Sequence, residues 1–404
     1  MKKETKTLLW LIRAIYFAQG LTAGLVGTFL YWTLLDMEIG LTEDIWADIK
    51  FFALLPWGFK FLLGPIADRF GKYRFWVIVT SLIAAVMILP LMMVPTFTWI
   101  TIVLCIHSLM RAYSDVITDG WALSLVSKGE RGSVQAATRI GSSTGMFLGG
   151  SMLMLLSVVI SWEWCLAIVA LVMTAPAMIA FFGKPKEPSK EETTTFKETW
   201  QIFKKLFTGP SLAAVGIALL AYTHALMMNL FTPWLQKVIW IGKVEGLTII
   251  GIGVLATVFG AIQGNRIVRS YQYDRRRALL LATGLLAVTY AWAGNFMSDL
   301  HSLNPGRAQD LMLISALVGF VDGIYAVALG TLFMDITKGI TKSKAQTTIY
   351  AIFMALISLS LLTIFPWLGS YLWSEADLPT AVMIGGGLQL LTLPLLLGVK
   401  LDRK

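Results

Sequence analysis

Four ionisable side chains recur at intervals of four residues within one long apolar stretch, residues 98–126. They are His107, Arg111, Asp115 and Asp119. Because a helix turns by about 100° per residue, this spacing places all four groups on one slowly drifting face. An arginine there can hold a carboxylate through parallel hydrogen bonds, and carboxylates can take up and release protons. The pattern predicts a face that binds an anion and carries protons.

Two interpretations of this face stay open. In the first, Arg111 contacts substrate and Asp115 couples proton movement to transport, with Asp119 and Asp322 as further proton carriers. Asp115 would then alternate between pairing with Arg111 and being protonated. In the second, an internal Arg111–Asp115 ion pair only holds helices together.

Other cations also interrupt apolar stretches of the first half. These cations are Arg13, Lys50, Lys60 and Arg139. Together with Arg111 they make five positive charges, whereas we count two carboxylates against them, Asp115 and Asp119. Charges inside a membrane are costly and face a partner or an aqueous cavity. Lys50 and Arg13 lie near the ends of their stretches, where long side chains can reach the interface. The excess predicts an anionic substrate, bound by Arg13, Lys60, Arg111 and Arg139.

The second half offers two more candidate substrate-binding residues, His224 and Asp322. Asp322 has no cation near it in its own stretch. His224 is equally well read as a packing residue. Asp335, close to a cytoplasmic end, is expected to be solvated.

Composition indicates which elements carry these charges. Of 404 residues, 56% are hydrophobic and 14% charged, whereas soluble domains carry about 25% charged residues. Two cysteines exclude a disulfide scaffold, and no Cys/His cluster suggests a metal site. The sequence contains no GxxxxGK[ST] or HExxH motif. It therefore predicts an all-α integral membrane protein that is not an enzyme, needs no cofactor and draws its energy from a proton gradient.

Twelve apolar stretches are long enough to cross a bilayer as helices of about 20 residues. We predict spans at 8–35, 47–67, 75–94, 98–126, 132–160, 164–182, 211–236, 246–268, 277–294, 309–337, 346–372 and 379–399. They give a six-helix bundle over 1–182, a linker over 183–210 and a second bundle over 211–404. In the linker, the spacing of Phe196, Trp200, Phe203 and Phe207 predicts an amphipathic helix on the inner leaflet.

The basic residues orient these spans. Of 33 lysines and arginines, 25 fall in segments on the side of the N-terminus and 3 in the opposite loops. Cytoplasmic loops carry such an excess, so both termini are expected in the cytoplasm. The protein itself is expected in an inner membrane. The net charge of +9 thus reflects topology and not nucleic-acid binding. Membrane lipids and a small solute are the expected partners of a monomer.

The loop between spans 2 and 3 carries a family motif. Residues 64–74 read GPIADRFGKYR, which resembles the G-x3-D-R-x-G-[RK]-x-[RK] signature of major facilitator superfamily transporters. That resemblance implies two pseudo-symmetric six-helix bundles working by alternating access. It also implies that the acid at Asp68 contacts a neighbouring helix terminus and locks one conformation. The gate residues are Gly64, Asp68, Arg69, Gly71, Lys72 and Arg74.

Two further stretches narrow the resemblance to one branch. FKFLLGPIADR at 59–69 and SDVITDGW at 114–121, followed by Glu130-Arg131-Gly132, resemble the AmpG-like permeases, which include muropeptide, acetyl-CoA and siderophore importers. Ser114 and Gly120 stand where the branch has Gln and Ala. The resemblance implies proton-driven import of a bulky anionic solute such as an anhydromuropeptide. A siderophore or acyl-CoA importer, a proton-coupled drug exporter and a transporter-like sensor remain alternatives.

The fifth span bears on the exporter alternative. Gly141, Gly145 and Gly149 resemble the family's antiporter motif, but Met146 replaces its proline. Small residues spaced by four also form faces for close helix packing, and we predict that role here.

Overall fold

A computed structural model describes most of the chain. The described residues are 3–37, 40, 41, 43–70, 72–93, 96–187, 200, 201, 204, 206–208, 210–235, 239, 243–272, 274–301, 308–341, 346–373 and 377–399. Within them every regular element is helical. Ten helical stretches in this part of the chain are long and apolar enough to cross a membrane: Lys6–Leu34, Asp48–Ala67, Tyr73–Met92, Phe97–Leu125, Trp162–Gly183, Val244–Ser270, Arg275–Asp299, Ala308–Ile340, Gln346–Leu372 and Leu378–Gly398.

The α-helices of the described residues follow one another in this order: α1 (Lys3–Gly24), α2 (Leu30–Asp36), α3 (Glu43–Gly58), α4 (Gly64–Phe70), α5 (Tyr73–Val86), α6 (Phe97–Leu125), α7 (Arg131–Phe147), α8 (Leu153–Leu156), α9 (Trp162–Val172), α10 (Ala175–Gly183), α11 (Pro210–Leu220), α12 (Met228–Pro233), α13 (Lys243–Ser270), α14 (Arg275–His301), α15 (Ala308–Thr341), α16 (Gln346–Leu359), α17 (Phe365–Leu372), α18 (Leu378–Leu388) and α19 (Thr392–Gly398).

Two apolar stretches are interrupted beside ionisable residues. After α3 the chain turns at Phe59 and forms a 3₁₀ segment, Lys60–Leu63. After α11 it turns at Tyr222, with φ −129° and ψ 44°, into a second 3₁₀ segment, Thr223–Met227. An interruption frees backbone groups that must find partners inside the protein, because lipid supplies none. Such positions are where transporters build binding sites.

The chain divides into two compact units. The first comprises residues 1–202 and 341–355, and the second comprises residues 203–340 and 356–404. The start of α16 therefore packs within the first unit, although it follows α15 in sequence.

Close packing in the first unit depends on glycines of α1 and α7. A Cβ at Gly20 would overlap the carbonyl oxygen of Ser142, and one at Gly145 would overlap that of Phe17. The two backbones thus approach so closely that only glycine fits, as in small-xxx-small faces. The predicted packing role of the α7 glycines is confirmed.

The second unit repeats this device on other helices. A Cβ at Gly369 of α17 would overlap the carbonyl oxygen of Leu226, and one at Gly260 of α13 would overlap that of Phe320 on α15. Helix pairs in both units are therefore held at backbone contact.

We predict that Gly145→Ala lowers the melting temperature of the detergent-solubilised protein, whereas Gly284→Ala does not. The first substitution forces α1 and α7 apart, while the Cβ at Gly284 meets no atom within 4 Å and alanine favours a helix over glycine by about 1 kcal/mol. Equal melting shifts in the two variants would contradict the packing argument.

Candidate functional site

The α6 face predicted from sequence packs against α1. His107 is fully buried, and its Nε2 lies 3.0 Å from Thr22 Oγ1 while its Nδ1 lies 2.8 Å from the Ala84 carbonyl oxygen. Further along α6, the Tyr16 hydroxyl donates to Asp119 Oδ1 at 2.7 Å. Ionisable groups of α6 are thus matched by polar groups on one side of α1.

Asp115 has both carboxylate oxygens engaged. Lys60 Nζ donates to Oδ2 at 2.8 Å, and Gln19 Nε2 donates to Oδ1 at 3.2 Å. The ion pair is almost entirely buried, with side chains 2% and 4% exposed. The predicted Arg111–Asp115 pair is therefore wrong: the break after α3 brings Lys60 to the carboxylate instead.

Arg111 is buried, and no carboxylate of the described residues forms an ion pair with it. The residue is 1% exposed, and its Nη2 donates to the Ile15 carbonyl oxygen. Its Nε and Nη1 have no hydrogen-bond partner among the described residues. A buried charge with unsatisfied donors is costly. Arg111 therefore carries two buried donors whose partners lie outside the described residues or are supplied by a ligand.

The remaining predicted anion-binding cations of the first unit are Arg13 on α1 and Arg139 on α7. Arg13 is half-buried, and its guanidinium lies 5.1 Å from the ring centroid of Trp10, whose side chain is 62% exposed. Arg139 is half-buried on α7. Of the four predicted anion ligands, the structure brings Lys60 and Arg111 to the α6 face.

The gate motif meets the start of α16. A Cβ at Gly64 would lie 2.7 Å from Thr348 Cα, and one at Gly120 would overlap Thr347 Oγ1. Gln135 Nε2 also donates to the Tyr350 hydroxyl at 2.9 Å. The start of α16 thus contacts α4, α6 and α7 of the first unit.

The basic residues of the gate motif lie at or near the protein surface. Arg69 and Lys72 are exposed, and the backbone N–H of Arg74 donates to Glu187 Oε1 at 3.1 Å. The side chain of Asp68 and the whole of Gly71 lie outside the described residues, so the predicted contact of Asp68 stays a prediction. The same holds for the linker helix, since Phe196 and Phe203 are outside them too.

An ion pair between α14 and α15 of the second unit corrects one expectation. Asp335 is not solvated: its side chain is 6% exposed, and its Oδ2 lies 3.6 Å from Nε of the buried Arg275. The preceding Asp274 accepts a hydrogen bond from Arg276, which lowers the pKa of the Asp274 carboxyl. The start of α14 is thus joined by acid–arginine contacts to α15 and to the residue before it.

A second polar cluster lies at the break after α11. His224 Nε2 lies 3.6 Å from Asp322 Oδ1, so the structure brings these two predicted residues together. His224 Nδ1 lies 3.2 Å from Gln389 Oε1. The rings of Tyr222, Tyr290 and Tyr325 have centroids 5.1, 4.9 and 6.2 Å from that of His224.

Sequence reasoning missed the partners of these groups. Tyr16, Gln19 and Thr22 follow one another at intervals of three on α1, and Gln389 stands in an otherwise apolar helical stretch. A polar side chain within a predicted span is itself a signal, because it needs a partner there.

We expect Lys60→Met and Asp115→Leu each to destabilise the protein by about 3–5 kcal/mol, because each leaves a buried charge alone. The double variant should be little worse than either single one, since both charges are then gone. Denaturant unfolding in detergent micelles measures all three, and additive losses would show that the two residues are not coupled.

Comparison with known proteins identifies a family and several relatives. Residues 14–338 match the Major Facilitator Superfamily. The chain is 26% identical over 287 residues to the anhydromuropeptide permease of Escherichia coli and 24% identical over 262 residues to the AmpG 2 protein of Rickettsia bellii, covering 66% and 61% of this chain. The matches span 56% and 64% of those relatives' own lengths.

Two solved structures share the fold, each with a TM-score of 0.70 and 13% identity over 98% of this chain. They are the human organic anion transporter TETRAN, covered over 100%, and a bacterial homologue of the iron transporter ferroportin in an outward-facing state, covered over 99%. The family match also agrees with the prediction of a transporter and not an enzyme. The chain belongs to the Major Facilitator Superfamily.

Proposed function

We propose that the chain is a proton-coupled secondary transporter that imports a bulky anionic solute, such as an anhydromuropeptide, by alternating access. Its ten long apolar stretches become twelve spans if two interrupted ones, residues 131–156 and 210–233, also cross the membrane. The first of these is less apolar and the second is broken at Tyr222. Both termini then lie in the cytoplasm, as the cation count predicts.

Arg111 carries the proposal of an anionic solute. Its Nε and Nη1 are buried and have no partner among the described residues. The nearby carboxylate of Asp115 is already occupied by Lys60 and Gln19. Nε and Nη1 lie on different edges of the guanidinium, so each can donate one charge-assisted hydrogen bond to an oxygen of an anion. A solute anion would supply acceptors for donors that have no partner among the described residues.

The relatives support the choice of solute class. The E. coli relative is named an anhydromuropeptide permease, and a peptide-bearing solute of this kind carries carboxylates. We extend that solute to this chain because the residues that resemble the AmpG-like branch, Lys60 and Asp115 among them, form the buried pair beside Arg111.

The proton gradient is the proposed source of energy, with Asp115, Asp119 and Asp322 as the candidate carriers. Asp115 cannot act by exchanging Arg111 for a proton, because its partner is Lys60. The Tyr16 hydroxyl donates a hydrogen bond to Asp119. This neutral hydroxyl can donate to an ionised carboxylate and, after rotating, can accept a hydrogen bond from a protonated carboxyl group.

Alternating access is proposed to release the start of α16 from the helices that it contacts. These contacts involve Gly64 of the gate motif and Gly120 of α6, both lacking a side chain where α16 approaches. Opening the cytoplasmic side would separate these surfaces, and closing it would restore them.

We predict that Arg111→Lys lowers affinity for anhydromuropeptide by about tenfold or more, because charge-assisted hydrogen bonds contribute about 1.5–3 kcal/mol each. Arg111→Gln should be weaker still. Arg276→Gln, which removes a charge from a half-exposed surface pair, serves as the control. Calorimetric titration of the purified protein measures these affinities, and unchanged binding in both Arg111 variants would remove this residue from the site.

A disulfide should trap the contact between α6 and α16. In a variant lacking Cys105 and Cys165, the pair Gly120→Cys and Thr347→Cys places its Cβ positions 2.9 Å apart, slightly closer than in a relaxed disulfide of about 3.5–4.5 Å. Oxidation should abolish uptake into proteoliposomes, and reduction should restore it. The single-cysteine variants control for the substitutions themselves. Full uptake by the oxidised, crosslinked protein would contradict alternating access through this contact.

A further inference from the structure

The break after α11 is closed by a set of side chains that fixes how Gln389 is oriented. Gln389 Nε2 lies 3.3 Å from the Leu220 carbonyl oxygen and 2.8 Å from the Tyr325 hydroxyl. A carbonyl oxygen only accepts hydrogen bonds, so the amide nitrogen must face it. The Tyr325 hydroxyl gives its single proton to the Ala221 carbonyl oxygen at 2.8 Å, so it too accepts from the amide.

This orientation determines the tautomer of His224. Gln389 Oε1 points to His224 Nδ1 at 3.2 Å, and an amide oxygen cannot donate. The imidazole must therefore carry a proton on Nδ1. A neutral ring then has a bare lone pair on Nε2, which lies 3.6 Å from Asp322 Oδ1.

A lone pair facing an ionised carboxylate in a buried site is repulsive, whereas one proton between them removes the conflict. We propose that His224 and Asp322 together form a proton-binding site, in which one proton beyond that on Nδ1 is shared between Nε2 and Oδ1. Gln389 is its positioning residue. Among the residues that the structure describes, the other titratable groups around the ring are the phenols of Tyr222, Tyr290 and Tyr325.

This assignment deepens the proposed function. The role of the proton site in transport rests on that function, whereas its protonation state does not. The assignment selects Asp322 from the three candidate carboxylates, because Asp322 faces a group that can share its proton while Asp115 faces Lys60. Release of the shared proton would leave the lone pair and the carboxylate in contact, which favours a rearrangement of the break.

The protonation state can be read directly on the purified full-length protein in nanodiscs, near neutral pH. Nitrogen NMR of ¹⁵N-histidine-labelled protein reports the two ring nitrogens, with His224→Gln identifying the signals. Infrared spectroscopy, with Asp322→Asn as the reference, reports whether the carboxyl is protonated. We expect Nδ1 to carry a proton, and either Nε2 or Asp322 to carry a second one.

Two variants separate the tautomer argument from a general loss of structure. Gln389→Leu removes the acceptor, so the ring can place its single proton on Nε2 towards Asp322, and the second proton should be lost. Thr223→Val removes a different bond to Gln389 Oε1, of 3.0 Å, and should keep both protons. Melting curves establish that each variant is folded.

A wild-type His224 protonated on Nε2 alone, with Asp322 ionised, would overturn the proposal. So would nitrogen signals that shift on adding sodium chloride in place of potassium chloride, because a metal cation would then occupy the gap. These outcomes do not depend on the solute.

Transport provides the functional arm. In proteoliposomes, Gln389→Leu and Asp322→Asn should lose accumulation of labelled anhydromuropeptide driven by a proton gradient, yet keep solute exchange, whereas Thr223→Val should accumulate it normally. Gradient-driven accumulation in folded Asp322→Asn would overturn the coupling role. If the wild type moves no anhydromuropeptide, the proposed solute fails while the NMR result still decides the proton site.

Discussion

The constraint on which this structure depends is the cost of placing ionisable groups where lipid offers no hydrogen bonds. Each such group has to find its partner on another helix, and the partners then fix how helices pack. Asp115 illustrates this, because Lys60 and Gln19 come to it from two different helices. His107 likewise joins α6 to α1 and, through the Ala84 carbonyl oxygen, to α5.

The same constraint explains why the helix breaks coincide with chemistry. Lys60 begins the 3₁₀ segment after α3, and His224 lies in the one after α11. A break re-aims a side chain that a continuous helix would direct elsewhere, and it exposes carbonyl oxygens that bind further polar groups. At the second break those carbonyls belong to Leu220 and Ala221, and their donors, Gln389 and Tyr325, in turn position His224. The two polar clusters are thus products of irregular backbone.

Glycines allow the helix backbones to approach closely, which polar side chains do not. α1 and α7 touch backbone to backbone, so the polar face of α1 is held firmly against α6 on its other side. Gly120 is a telling case. It replaces the alanine of the AmpG-like pattern, and a Cβ there would overlap Thr347 of α16. The departure from the pattern therefore creates room for a specific neighbour.

Much of this was predictable from the sequence, and the rest has a physical reason. Apolar length predicted the helices, the four-residue spacing predicted the α6 face, and the glycine spacing predicted a packing surface. Periodicity within one helix says nothing about which helix lies opposite. Arg111 is near Asp115 in sequence and was the natural partner, but Lys60 takes that carboxylate because the chain breaks after Gly58. Asp335 was misjudged for the same reason, since Arg275 comes from another helix.

The claim at the centre of this account is that Arg111 Nε and Nη1, which are buried and have no hydrogen-bond partner among the described residues, bind the anionic solute. A cryo-EM structure of the protein in nanodiscs with bound anhydromuropeptide tests it most directly. The account predicts an anionic oxygen of the solute within hydrogen-bonding distance of Arg111 Nε or Nη1, with Lys60 still paired to Asp115. Solute density elsewhere, with the Arg111 donors bonded to groups of the protein itself, would contradict it.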